Sequence, residues 1–99
     1  MQVLTVVKKT QQYASRKDIG RIFGYADPTR LLKAFRDYAV ADIDVFYPRK
    51  PYIKQSGMDT IYDIVCFAYF IENKDLLEAG TRSVSFKEEL PRLREAYRE

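Results

Sequence analysis

Apolar residues recur along this chain with helical spacing in some stretches and as short β-prone runs in others, and the changes mark its elements. Ile19, Ile22 and Phe23 form one helical stripe, and Leu31, Leu32 and Phe35 form a second. These stripes predict two short helices within residues 15–38. Ser15 caps the first, and Asp18 sits three residues on, where a carboxylate reaches back to the cap amide and suits the positive first turn. Gly20 falls where a second helix crosses closely. Gly24 follows the last apolar residue, where a left-handed residue ends a helix and opens a turn. Asp27-Pro28 restarts the chain: aspartate caps, and proline takes the first helical position, where its missing N–H is not needed.

Beyond this pair the pattern changes. Val3–Val7 is a short β-prone run and predicts a strand; Ala39–Asp44 reads as a connection. Val45-Phe46-Tyr47 and Pro51-Tyr52-Ile53-Lys54 flank the basic turn Pro48-Arg49-Lys50. They predict a hairpin within residues 45–54, against the alternative of an irregular loop pinned by two prolines. A third helix is expected from Asp59 or Thr60, with Thr60 and Asp63 as a capping box. Its apolar surface is almost all-round (Ile61, Ile64, Val65, Phe67, Ala68, Phe70), which makes it the central core element, running on to Ala79 with Gly80 as its stop. Ser85 with Glu88 is a further capping box. Leu90, Leu93 and Tyr97 form a weaker stripe that Pro91 should kink or split. The C-terminal helices thus occupy residues 59–99 of a single domain.

Two short helices joined by a tight turn, with Thr29, Arg30, Lys33 and Arg36 on the polar face of the second, are the sequence pattern of a helix-turn-helix. Over residues 13–55 the chain resembles the small winged-helix proteins of phages and mobile elements, including excisionase-like and MerR-like domains. In those families an apolar residue usually follows the proline-threonine pair. Here Arg30 holds that place and the apolar pair is Leu31-Leu32, so either the turn is one residue longer or the second helix is rotated. The resemblance implies a mostly helical α+β fold, a winged helix-turn-helix with additional C-terminal helices. It also implies that a basic hairpin, with Arg49, Lys50 and Lys54, touches the DNA backbone.

Charge agrees with that expectation. The net charge is +3, but residues 1–58 carry 11 Lys and Arg against 5 Asp, whereas residues 59–99 carry 6 basic against 9 acidic residues. Phosphate binding needs positive charge on the docking face; the plainer alternative is ordinary solvating charge. With 46% hydrophobic and 31% charged residues, the 99-residue chain has the composition of a globular domain rather than a disordered one. The single cysteine, Cys66, excludes a disulfide within the chain and reads as a small buried hydrophobe. The amino-terminal apolar run is too short for a signal peptide, and no 18-residue apolar stretch predicts a membrane span. A cytoplasmic protein is therefore expected.

Catalytic chemistry is poorly represented. There is no histidine, which removes the commonest general base and metal ligand. One cysteine cannot build a zinc site, and no glycine-rich phosphate loop occurs. The expectation is a non-enzyme without cofactor or metal. Eight tyrosines are many for this length. Tyr62 and Tyr69 read as core residues of the third helix. Tyr25 touches a phosphate or, the better reading, packs the helix junction. Tyr47 and Tyr52 pair across the hairpin in preference to stacking on bases.

The expected function is sequence-directed binding of double-stranded DNA by a small accessory or regulatory protein, excisionase-like or repressor-like. Thr29, Arg30, Lys33 and Arg36 would enter the major groove, with Arg16, Lys17 and the Arg49-Lys50 turn holding phosphates and Tyr25 in the turn beside them. Tight binding calls for a homodimer or several copies along the site. The alternative is a protein-interaction module, such as a small phage-type protein that binds a host protein through acidic C-terminal helices and a tyrosine-rich surface.

Overall fold

The computed structural model describes residues 12–42, 44–79 and 85–97. A short strand, β1 (Tyr13–Ser15), leads directly into α1 (Arg16–Phe23), and α2 (Thr29–Ala41) follows. Then come the hairpin strands β2 (Tyr52–Gln55) and β3 (Met58–Asp63), and the helices α3 (Ile64–Glu72), α4 (Lys74–Glu78) and α5 (Phe86–Ala96). The class is α+β and mostly helical. The three strands form one antiparallel sheet in the order β1-β3-β2, with Ala14 opposite Tyr62 and Tyr52 opposite the other edge of the same residue. The strand expected at Val3–Val7 and the helix stop expected at Gly80 lie outside the described residues. Among the described residues no helix is long and apolar enough to cross a membrane.

Local chemistry builds the turn between α1 and α2 much as the residue types dictate. The Asp18 N–H donates to Ser15 Oγ across 3.3 Å, which caps α1, while the Asp18 carboxylate turns to Arg21 at 2.7 Å. Gly24 ends α1 with φ of +81°, and the Tyr25 N–H donates to Gly20 O at 2.8 Å, closing the helix end. A Cβ on Gly20 would lie 2.7 Å from the Tyr25 carbonyl oxygen and 3.3 Å from the Pro28 ring. The close approach expected there is to the folded-back turn, not to the second helix. The start of α2 is one residue later than expected: Pro28 is the N-cap, without a side-chain cap bond, rather than the first helical residue, and Asp27 holds the turn before it by accepting from both the amide and the hydroxyl of Thr29. Gly24→Val forces a branched side chain into the left-handed region. It should cost about 1–3 kcal/mol in urea unfolding; an unchanged midpoint would show that the solution turn has another shape.

The core is centred on α3, whose residues Ile64–Phe70 are all buried. Phe35 from α2 packs its ring 5.5 Å from Phe67 and 5.6 Å from Phe70, and Phe46 lies 4.9 Å from Phe86 of α5. Leu93 is fully buried, and Arg92 reaches Glu72 at 2.8 Å, so α5 packs through one face onto α3. Cys66 is buried as expected, and burial, with the Asp63 charge beside it, pushes its thiol well above the ordinary range.

Several expectations are corrected. Residues 45–47 are not a strand. The amides of Val45, Tyr47 and Arg49 each bond back three residues, to Asp42, Asp44 and Phe46, and Phe46 is drawn into the aromatic core at 1% exposure. The hairpin expected at 45–54 lies instead at 52–63, as β2–β3 around Ser56-Gly57. Thr60 and Asp63 form no capping box. Thr60 is in β3, and Asp63 itself is the N-cap of α3, its Oδ1 accepting from the Cys66 N–H at 2.9 Å. Pairing with strands on both sides takes residues 58–63 away from the helix. Tyr62 is therefore a strand residue, and Tyr52 pairs with it rather than with Tyr47. The connection expected at Ala39 is still helix, to Ala41. The long helix breaks at Asn73, whose side-chain amide donates to Tyr69 O at 3.0 Å in competition with the helix ladder. Pro91 does not split α5: it and Lys87, whose carbonyl the ring leaves unpaired, are both exposed to water. The Ser85 side chain makes no cap bond.

Candidate nucleic-acid interface

The buried face of α2 is Leu32, Phe35 and Ala39. Three- and four-residue spacing therefore turns Thr29, Arg30, Lys33 and Asp37 outward, and all four are exposed. Arg30 points to solvent and Leu31 is half-buried, so the shifted apolar pair has not rotated the basic stripe inward. Lys33 pairs with Asp37 one turn on, at 3.0 Å, a surface contact worth little by itself.

The head of α1 joins this stripe. Arg16 lies 3.8 Å from Asp27, the residue that holds Thr29. Hydrogen bonds from the Thr29 hydroxyl and amide hold the Asp27 carboxyl below its ordinary value, and the nearby charges of Arg16 and Arg30 add to that. Arg16, Asp27, Thr29 and Arg30 thus form one surface group.

On its other side Arg16 borders a cleft of about 360 Å³. Ser15, Arg16 and Lys17 form one wall, Arg36 of α2 the second, and Asp59, Thr60 and Tyr62 of β3 the third. Arg36 is half-buried, its Nη1 donating to the Tyr62 hydroxyl at 2.8 Å. Lys54 is exposed on β2, where the register with β3 is irregular between Ile53 and Gln55, and it does not line this cleft.

Arg49 does not belong to this surface. Its side chain is 14% exposed and makes a 2.9 Å ion pair with the fully buried Asp63 carboxylate. Gln12 Nε2 donates to the same carboxylate at 2.9 Å. Lys50 is exposed, but it borders a different groove with Val40, Pro51 and Tyr52 at the C-terminal end of α2. Tyr25 sits in the α1–α2 turn, exposed at 38%.

The structure therefore brings together Arg16, Lys17, Thr29, Arg30, Lys33 and Arg36, with Lys54 on the adjoining strand. It separates Arg49 and Lys50 from them. Asp63 and Tyr62 were missed as partners of the basic residues. Their signal was slight: a lone carboxylate interrupting an apolar run, preceded by a β-prone alternation. Among the described residues no group of three or more His, Cys, Asp and Glu side chains could hold a metal ion.

No family model, curated protein or solved structure matches this chain.

Proposed function

We propose that this chain is a winged helix-turn-helix protein that binds double-stranded DNA, with α2 in the major groove and the β2–β3 hairpin as the wing. One observation carries the reading. Arg36 of α2, Arg16 and Lys17 at the head of α1 and the inner strand of the hairpin border a single cleft, and Arg16 also reaches Asp27 at the start of α2, beside the exposed Arg30. The order β1-α1-α2-β2-β3 supports it: β3, in the middle of the sheet, packs against α1, and the Arg36–Tyr62 hydrogen bond ties it to α2.

In this reading Arg30 and Lys33 meet base edges, since their N–H groups match the acceptors of guanine, and Thr29 contacts the groove beside them. Arg16, Lys17 and Lys54 meet phosphates. The role is that of a small accessory or regulatory protein in the cytoplasm, excisionase-like or repressor-like. A single module binds weakly, so tight binding needs a dimer or several copies on one site.

The test is fluorescence anisotropy on duplexes over a range of salt. Three to four phosphate contacts should give a log–log salt slope of about −3. Arg30→Ala should cost about 1–3 kcal/mol on a preferred site selected from random duplexes, and much less on a scrambled one. Equal losses on both would make Arg30 a backbone contact. No binding to any duplex at low salt would end the proposal.

A second reading, a protein-interaction module, draws on Val40, which is 61% exposed beside Pro51 and Tyr52. It does not draw on α5, whose apolar residues Phe86 and Leu93 are already buried within the chain. Capture of a protein partner after nuclease treatment, abolished by Val40→Asp, would favour it.

A further inference from the structure

We propose that the cleft between α1, Arg36 and β3 holds one phosphodiester group of the DNA backbone, with Tyr62 as the residue that positions Arg36 for it. The inference rests on the DNA-binding reading and gives Arg36 a different role from its neighbours on α2.

Three cations, Arg16, Lys17 and Arg36, come to this cleft from two helices, and the single carboxylate among its lining residues is Asp59. The local balance therefore favours an anion. Its back wall is more telling. Tyr62 is 3% exposed, and its hydroxyl oxygen accepts a hydrogen bond from Arg36. That bond uses a lone pair and leaves the hydroxyl proton unspent. Tyr62 lines the cleft, so that proton is available to whatever the cleft holds. An oxyanion in the cleft supplies the acceptor.

The same bond fixes the guanidinium. Arg36 donates one N–H to Tyr62 and retains others, in a planar fork that matches two phosphate oxygens. A guanidinium tied to a buried wall does not swing out to search for a base. Arg36 is thus a register contact, which sets where α2 lies in the groove, while Lys33 and Arg30, about one and two turns nearer its start, are left to read sequence. Ser15 Oγ accepts from the Asp18 amide, which leaves its hydroxyl proton free to donate to the same oxyanion. Asp59 opposes the ligand, so Asp59→Asn should tighten binding on all duplexes.

The experiment uses the full chain and a mixed-sequence duplex in which single phosphates are replaced, one at a time, by neutral methylphosphonates. Wild-type protein should lose about tenfold in affinity at one phosphate per bound copy. Arg36→Gln should weaken binding about tenfold on every sequence, flatten the salt slope by about one unit, and become indifferent to the methylphosphonate at that position. Tyr62→Phe keeps the buried ring and should lose severalfold, with the same position silenced. Melting curves show that each variant is folded; should Tyr62→Phe unfold, the Arg36→Gln comparison stands without it. A wild-type chain that binds DNA while Arg36→Gln shows an unchanged methylphosphonate profile overturns the cleft and leaves DNA binding intact. A wild-type chain that binds no duplex overturns both.

Discussion

Arg49→Ala should lose about 3–5 kcal/mol of stability, far more than an exposed arginine would. The guanidinium is mostly buried, 2.9 Å from a carboxylate with no solvent exposure. Removing it strands the Asp63 charge in the core, where, among the described residues, Gln12 and the Cys66 amide remain to solvate it. Asp63 also begins α3, and its backbone N–H donates to Pro51 O at 2.8 Å. The lost pair therefore loosens three things at once: the loop after α2, the end of β3 and the first turn of the central helix. Asp63→Asn in the Arg49→Ala background should recover part of the loss. Asparagine carries no charge to strand and keeps the oxygen that caps Cys66 N–H. Urea midpoints of the two single variants and the double variant give the coupling directly. A loss below about 0.5 kcal/mol for Arg49→Ala would show that the pair is solvated, and would return Arg49 to the list of surface cations available to DNA.

Phe35→Ala should be at least as damaging, at about 3–5 kcal/mol. Phe35 has no exposed surface, and its ring meets those of Phe46, Phe67 and Phe70 at centroid distances of 5.5–5.8 Å. With Tyr38 one turn on, it grips both the loop plug at Phe46 and the central helix. Tilted and edge-on aromatic pairs add to the transfer term, and truncation leaves a cavity that these rings cannot all close. Phe35→Leu refills most of the volume and should cost about 1.5 kcal/mol or less. Because a domain of this size has only about 5–15 kcal/mol in hand, Phe35→Ala should also abolish duplex binding near physiological temperature. If Phe35→Ala melts with the parent, α2 is not anchored on this face, and the outward placement of Arg30 and Lys33 falls with it.

The α1–α2 unit was legible because each of its signals is local. A serine cap, a glycine at positive φ and an aspartate holding the next turn act over four or five residues, and these bonds form in the fold. The buried face of α2 was legible for the same reason: Leu32 and Phe35 sit at helical spacing, and the same spacing turns Arg30 and Lys33 outward. The hairpin was misplaced because Val45-Phe46-Tyr47 and Tyr52-Ile53-Lys54 are equally β-prone. Phe46 went to the core because a pocket of aromatic rings from α2, α3 and α5 awaited it, and no neighbour in sequence announces that.

By itself, then, the sequence determined the two-helix unit, its turn, the basic stripe and an apolar central helix, since each depends on contacts within one or two helical turns. The tertiary structure alone decided which cations remain at the surface. Arg49 and Arg36 look alike in sequence, each a basic residue among polar and apolar neighbours. A carboxylate 14 residues away captures the first, and a tyrosine hydroxyl 26 residues away orients the second. Charge is a property of the side chain, but its availability depends on what the fold brings within about 3 Å of it.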